Sequence, residues 1–183
     1  MKSVEGIILK KSPRREADAV FTLYTKEHGL MELVAKGVRK GSAKLKSGLD
    51  VFNHAEIFYA PAKHWSIITD FKIKNNFKNI KQNLFRLKLT HFASVAILKI
   101  FEPGLAEPRV WQKVLDFFTG LENSQSNKEE LIGSTYFWCH DILVLNGLNP
   151  RSPDFSPINT VDLKKKTEEL FLHHFWISIS KLI

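Results

Sequence analysis

Ala17-Asp-Ala-Val-Phe-Thr-Leu-Tyr-Thr-Lys-Glu-His-Gly-Leu-Met-Glu-Leu-Val-Ala-Lys36 is the stretch whose reading decides the fold. Two apolar runs, Ala17–Thr25 and Leu30–Lys36, flank Lys26-Glu-His-Gly29, where Gly29 supplies the positive φ that a tight hairpin needs. Val20, Thr22 and Tyr24 alternate only partly with Phe21 and Leu23, the pattern of strands covered in part on both faces. Upstream, Val4–Lys11 is short and rich in β-branched residues. Downstream, His54–Tyr59 and Trp65–Lys74 are joined by Ala60-Pro-Ala-Lys-His64, a second turn signal. Five short strands in about 75 residues, with a long connection between the third and fourth, predict a five-stranded Greek-key barrel of the OB type. An SH3-like barrel is the competing architecture.

From about residue 76 the periodicity becomes helical. Asn83–Phe101 carries Phe85, Leu89, Phe92 and Ala96 at spacings of three and four, and Leu84, Leu87, Val95 and Leu98 widen the apolar face until most sides read as buried. Pro103-Gly104 stops this helix. Val110–Leu121 predicts a second, with Val110, Val114, Phe117 and Phe118 inward. Ser126 and Glu129 have capping-box spacing for a third, which ends at Asn146-Gly147. Asn149–Asn159, with prolines at 150, 153 and 157, reads as irregular, and Asp162–Leu182 reads as a final helix. The fold class is therefore α+β: residues 1–78 form the barrel domain and residues 79–183 an all-helical one.

Charge divides along the same line. Residues 1–78 hold 15 Lys/Arg against 8 Asp/Glu, and residues 79–183 hold 12 against 11. The net charge of +8 favours an anionic partner, nucleic acid before an acidic membrane surface. A single cysteine, Cys139, excludes an internal disulfide framework and any multi-cysteine zinc site. No apolar segment reaches spanning length and Met1–Gly6 lacks a signal-peptide pattern, so the expectation is a cytoplasmic protein without a membrane partner.

The densest basic feature is Lys36-Gly-Val-Arg-Lys-Gly-Ser-Ala-Lys-Leu-Lys46: five cations, no anion and two glycines. Cations on a glycine-containing connection can follow a phosphate backbone without a fixed base sequence. Lys10, Lys11, Arg14 and Arg15 form a second cluster where the first strand ends. In a closed barrel the ends of strands one and three can share a rim, so the clusters can form one patch; the alternative is two unrelated solvated turns. Among the aromatics on the strands, Phe21, Tyr24 and Phe58 read as core. Tyr59 and Trp65 flank a turn and are the candidates for stacking on bases.

The order of several short motifs is familiar. Gly6-Ile-Ile-Leu-Lys, Arg15-Glu-Ala-Asp18, Leu23-Tyr-Thr-Lys-Glu-His-Gly29, Ala35-Lys-Gly-Val-Arg39 and Lys44-Leu-Lys-Ser-Gly-Leu-Asp-Val-Phe52 together resemble the RecO family of bacterial recombination mediators. Tyr136-Phe-Trp-Cys-His-Asp-Ile-Leu-Val-Leu-Asn-Gly-Leu-Asn-Pro150 resembles that family's helix with a Leu-x-Gly-x-x-Pro ending. The resemblance implies an OB-fold followed by a helical domain, binding of single- and double-stranded DNA, strand annealing, and help in loading a recombinase onto protein-coated single strands. It implies RecR and the C-terminal tail of the single-stranded-DNA-binding protein as partners. It also places Lys36, Arg39, Lys40, Lys44 and Lys46 on a DNA-contacting edge. The four-cysteine zinc module of some relatives is absent, and Leu170–Ile183 matches the usual C-terminal helix only loosely.

No pattern calls for catalysis, a cofactor or a metal. The chain has no Gly-x-Ser-x-Gly elbow, P-loop or His-Glu-x-x-His. In Cys139-His140 and His173-His174, adjacent helical positions diverge by about 100° and make no two-ligand face. The expectation is a non-enzymatic DNA-repair protein. An adaptor whose basic patch binds acidic proteins is the alternative, and a magnesium nuclease using Glu16, Asp18 and Asp70 is a weaker one. Trp111, Phe117, Phe118, Trp138 and Trp176 suggest a partner groove in the helical half, with ordinary core packing the simpler reading for each.

Overall fold

The computed structural model describes residues 1–39, 48–147 and Lys165. Five strands come first: β1 (Lys2–Arg14), β2 (Asp18–Thr25), β3 (Gly29–Ala35), β4 (His54–Ala60) and β5 (Ile67–Asn75). They close into a barrel in the order β1-β2-β3-β5-β4, with β1 pairing antiparallel to both β2 and β4. The parallel β3–β5 junction at Val34 and Ile67 completes the OB topology and decides against the SH3-like alternative. β1 serves two neighbours because it bends: its register with β2 shifts between Ile8 and Lys10, a bulge that coils the strand around the barrel.

The interior follows the two-residue period of the strands. Phe21, Leu23, Leu33, Ile57, Tyr59 and Ile68 pack with Val4 and Ile8 in one buried cluster. Each such side chain contributes about 1.5–3 kcal/mol by leaving water. The β2–β3 hairpin turns as expected, with Gly29 at φ 62°. The Thr25 hydroxyl closes this turn, donating to the Gly29 carbonyl at 2.9 Å and accepting from the His28 amide at 3.1 Å.

The outer face of the hairpin is also covered, which explains its incomplete alternation. Phe101 lies 5.5 Å from Tyr24, ring centre to ring centre, and Pro103 bridges Gly29 and Leu30. The chain accordingly divides into two compact units. One is Met1–Phe77 with Phe101–Trp111; the other is Lys78–Ile100 with the chain from Gln112 onward.

The helices are α1 (Lys78–Gln82), α2 (Leu84–Ile100), α3 (Pro108–Asn123) and α4 (Lys128–Leu145). α1 has no counterpart in the sequence reading. Its first amides are satisfied by the distant Glu122 carboxylate, which accepts from Asn79 N at 3.1 Å and Ile80 N at 3.0 Å. α2 is buried on most sides, as its composition suggests: Leu89, Phe92, Ala96 and Ile97 are buried, while Lys88, His91 and Lys99 keep one stripe in solvent. In α3, Val110, Val114, Phe117 and Phe118 face inward as expected. α4 is capped by Asn127 rather than Ser126, its side chain accepting from Glu130 N at 3.0 Å. As expected, α4 ends before Asn146-Gly147, with Gly147 at φ 72°. Among the described residues no helix is long and apolar enough to cross a membrane. The expectations for Asn149–Asn159, Asp162–Leu182 (apart from Lys165), His173, His174 and Trp176 lie outside the described residues.

Candidate nucleic-acid interface

The barrel order brings three connections to one rim: the β1–β2 turn, the chain leaving β3, and the β4–β5 loop. Arg15 occupies the first turn in the left-handed region at φ 51°. The Asp18 carboxylate opposite it accepts from the Gly37 amide at 2.9 Å. Arg39 completes the lacing, its amide donating to the Ala17 carbonyl at 2.9 Å and its Nη1 to the Arg15 carbonyl at 3.2 Å. The ends of strands one and three therefore do meet, and Arg15 and Arg39 are neighbours.

The third connection joins them through Arg14, whose guanidinium carbon sits 4.5 Å from the centre of the Trp65 ring. This cation–π stack covers one side of a half-buried indole and contributes on the order of 1 kcal/mol. The Val34 amide donates to the Ser66 carbonyl at 2.9 Å, pinning the same loop to the end of β3. Trp65 lies in the loop, since β5 begins only at Ile67.

Lys36 is exposed beside Gly37, whose φ of 65° turns the chain there. Lys11 reaches the edge of the barrel interior, with Nζ 5.3 Å from the Phe21 ring centre. Lys10 is exposed but pairs with Thr22 next along the strand, so it lies on the opposite face from Lys11. Lys40, Lys44 and Lys46 lie outside the described residues. Tyr59 is a correction: it is 4% exposed within the barrel core and offers no ring face to a base. Its place two residues after buried Ile57 on β4 directs it inward, whatever its nearness to the turn.

Lys63 and His64 were missed by the sequence reading. Both are exposed in the β4–β5 loop beside Trp65, and only the closed-barrel strand order shows that this loop shares the rim. Within 14–18, 36–39 and 61–66 the cations are Arg14, Arg15, Lys36, Arg39 and Lys63, against Glu16 and Asp18. Such a surface can neutralise phosphates and stack an unpaired base. Among the described residues no cluster of His, Cys, Asp and Glu could hold a metal, and Glu16, Asp18 and Asp70 do not form one.

Comparison with known proteins agrees with the barrel fold. Residues 1–77 match the family model described as Recombination protein O N terminal. The DNA repair protein RecO of Syntrophomonas wolfei is 26% identical over 122 residues, 67% of this chain and 49% of that protein. That of Dehalococcoides mccartyi strain 195 is 28% identical over 145 residues, 79% of this chain and 56% of the relative. The same protein from strain BAV1 is 31% identical over 120 residues, 65% and 47% respectively. The chain spans about half the length of the curated relatives it matches.

Proposed function

We propose, for a chain that belongs to the RecO family through its barrel domain, a role in DNA repair and recombination as a non-enzymatic mediator. Its rim holds single- and double-stranded DNA by the phosphate backbone. Cations facing two strands at once lower their mutual repulsion, so complementary bases pair without nucleotide hydrolysis, cofactor or metal. The same handling assists loading of a recombinase on protein-coated single strands in a bacterial cytoplasm. The observation that carries this reading is the convergence of Arg14, Arg15 and Arg39 with Trp65 on one laced rim.

RecR and the acidic, apolar tail of the single-stranded-DNA-binding protein are the proposed protein partners. A surface suited to such a tail lies on α2. Leu84 is 71% exposed, one turn from Lys88 and two from His91, inside a run from residue 71 to 101 that holds seven Lys/Arg and no Asp/Glu. An acidic segment with an apolar anchor needs that combination of cation and apolar side chain.

The test is binding of labelled single-stranded DNA over a salt series. Four phosphate contacts on a single strand give a slope of log affinity against log salt of about −3. Lys36→Ala with Arg39→Ala is expected to keep the circular-dichroism spectrum, reduce that slope by roughly 1, and weaken binding about tenfold near 50 mM salt. Unchanged affinity in the folded double variant would remove the rim from the interface. Absence of DNA binding by the parent, with retention of acidic proteins, would favour the adaptor reading.

A further inference from the structure

The second unit carries a groove that DNA handling at the barrel rim does not use. It lies between α3 and α4 and encloses about 470 Å³. Its wall is aromatic and fixed in place: Phe117 and Trp138 stack with ring centres 4.7 Å apart, and the indole N–H donates to the Lys113 carbonyl at 3.0 Å. At the lip Phe137 stands 52% exposed, a large apolar side chain left in water.

Two further features give the groove a direction. Its charged lining consists of Asp116, Glu130 and Asp141 against Lys113 alone, and the Lys113 ammonium lies 2.5 Å from Asp141. Three carboxylates less one ammonium leave the rim at −2. The second feature is Gly120, which lines the groove from inside α3. Its φ is not positive, and a Cβ built on it meets no described atom within 4 Å. Glycine inside a helix is destabilising relative to alanine. Neither backbone strain nor packing among the described residues requires it; what it supplies is open space along the groove.

We propose that this groove docks a segment of a partner protein bearing a large apolar side chain flanked by Lys or Arg. The volume falls in the range of about 300–1,000 Å³ typical of ligand sites, and the acidic rim complements the flanking cations. The same carboxylates repel an acidic tail, so the site is separate from the α2 surface considered for such a partner.

The test uses the full chain and two fluorescent synthetic peptides of about a dozen residues. They share Leu and Trp positions and differ in carrying Lys or Glu between them. The lysine peptide is expected to bind at least about tenfold tighter, a difference of about 1.4 kcal/mol. Gly120→Leu fills the groove without touching the rim charges, and it is expected to weaken that peptide about tenfold while melting at or above the parent temperature. Asp116→Lys with Glu130→Lys is expected to reverse the preference between the peptides. Tighter binding of the glutamate peptide, equal or absent binding of both, or undiminished affinity in Gly120→Leu each overturns the proposal.

Discussion

Tyr24 shows how a single residue records an environment that its strand position does not announce. It alternates with the interior residues Phe21 and Leu23 and so points out of the barrel, yet it is wholly buried, under Phe101. Its hydroxyl has no hydrogen-bond partner among the described residues. Burial, with a smaller push from the Glu107 carboxylate, raises its pKa well above the ordinary phenol range. An unpaired buried hydroxyl carries a desolvation cost of about 1–3 kcal/mol that an apolar isostere avoids. Tyr24→Phe is therefore expected to stabilise the protein by about 1 kcal/mol, read as a higher urea midpoint at unchanged slope. A lower midpoint would show that the hydroxyl has a partner, such as an ordered water, and that the cost is already met.

The β2–β3 hairpin depends on Gly29 for two separate reasons. Its φ of 62° is strained for any side chain, and a Cβ there would lie 2.0 Å from the Leu105 carbonyl oxygen. Backbone cannot move aside as a flexible side chain can. Gly29→Ala is expected to cost about 2–4 kcal/mol, more than the 1–2 kcal/mol of the conformation alone, measured by chemical denaturation. A loss of only about 1 kcal/mol would mean that the Phe101–Trp111 segment yields easily. The glycine turn was legible in the sequence because local chemistry determines it, and so were all five strands. What covers Gly29 was not, because residues 102–109 have no periodicity and read as a connection between helices. α1 escaped notice for a related reason: five residues carry no pattern, and Glu122 that caps them is 43 positions away from Asn79. The rim was half legible. Its arginines stand out as charge clusters, but adding Lys63 and His64 and removing Tyr59 required the strand order and the inward register of β4.

Across the first unit, the acid response gathers at a polar knot around His54. Its Nε2–H donates to Glu5 Oε1 at 2.8 Å, the Lys74 ammonium lies 2.6 Å from Glu5 Oε2, and Trp111 packs edge-on 5.8 Å from the imidazole. Burial holds the His54 pKa below its ordinary value and outweighs the attraction of Glu5, while Lys74 opposes a proton as well. For Glu5 burial pushes upward, but hydrogen bonds and charge from Lys74 and His54 prevail and its pKa is lowered. Both shifts destabilise the fold in acid. The unfolded chain takes up a proton on histidine as pH falls below about 6.5, and the native state does not until its depressed pKa is reached. The Glu5 contribution is present above about 4.5 and is lost as pH falls through its lower folded value. Trp111 supplies part of the burial, though it belongs to α3 and lies 57 positions beyond His54 in the chain. Trp111→Ala is expected to raise the His54 pKa toward the ordinary value and to flatten the fall in stability just below pH ~6.5. The loss below about 4.5, which belongs to Glu5, should persist. Titration of the His54 ring by NMR in parent and variant measures the first effect, and denaturation at several pH values the second. A His54 pKa unmoved by loss of the indole would mean that the strands alone bury it, and that Phe101–Trp111 is not needed to set the acid response of the barrel.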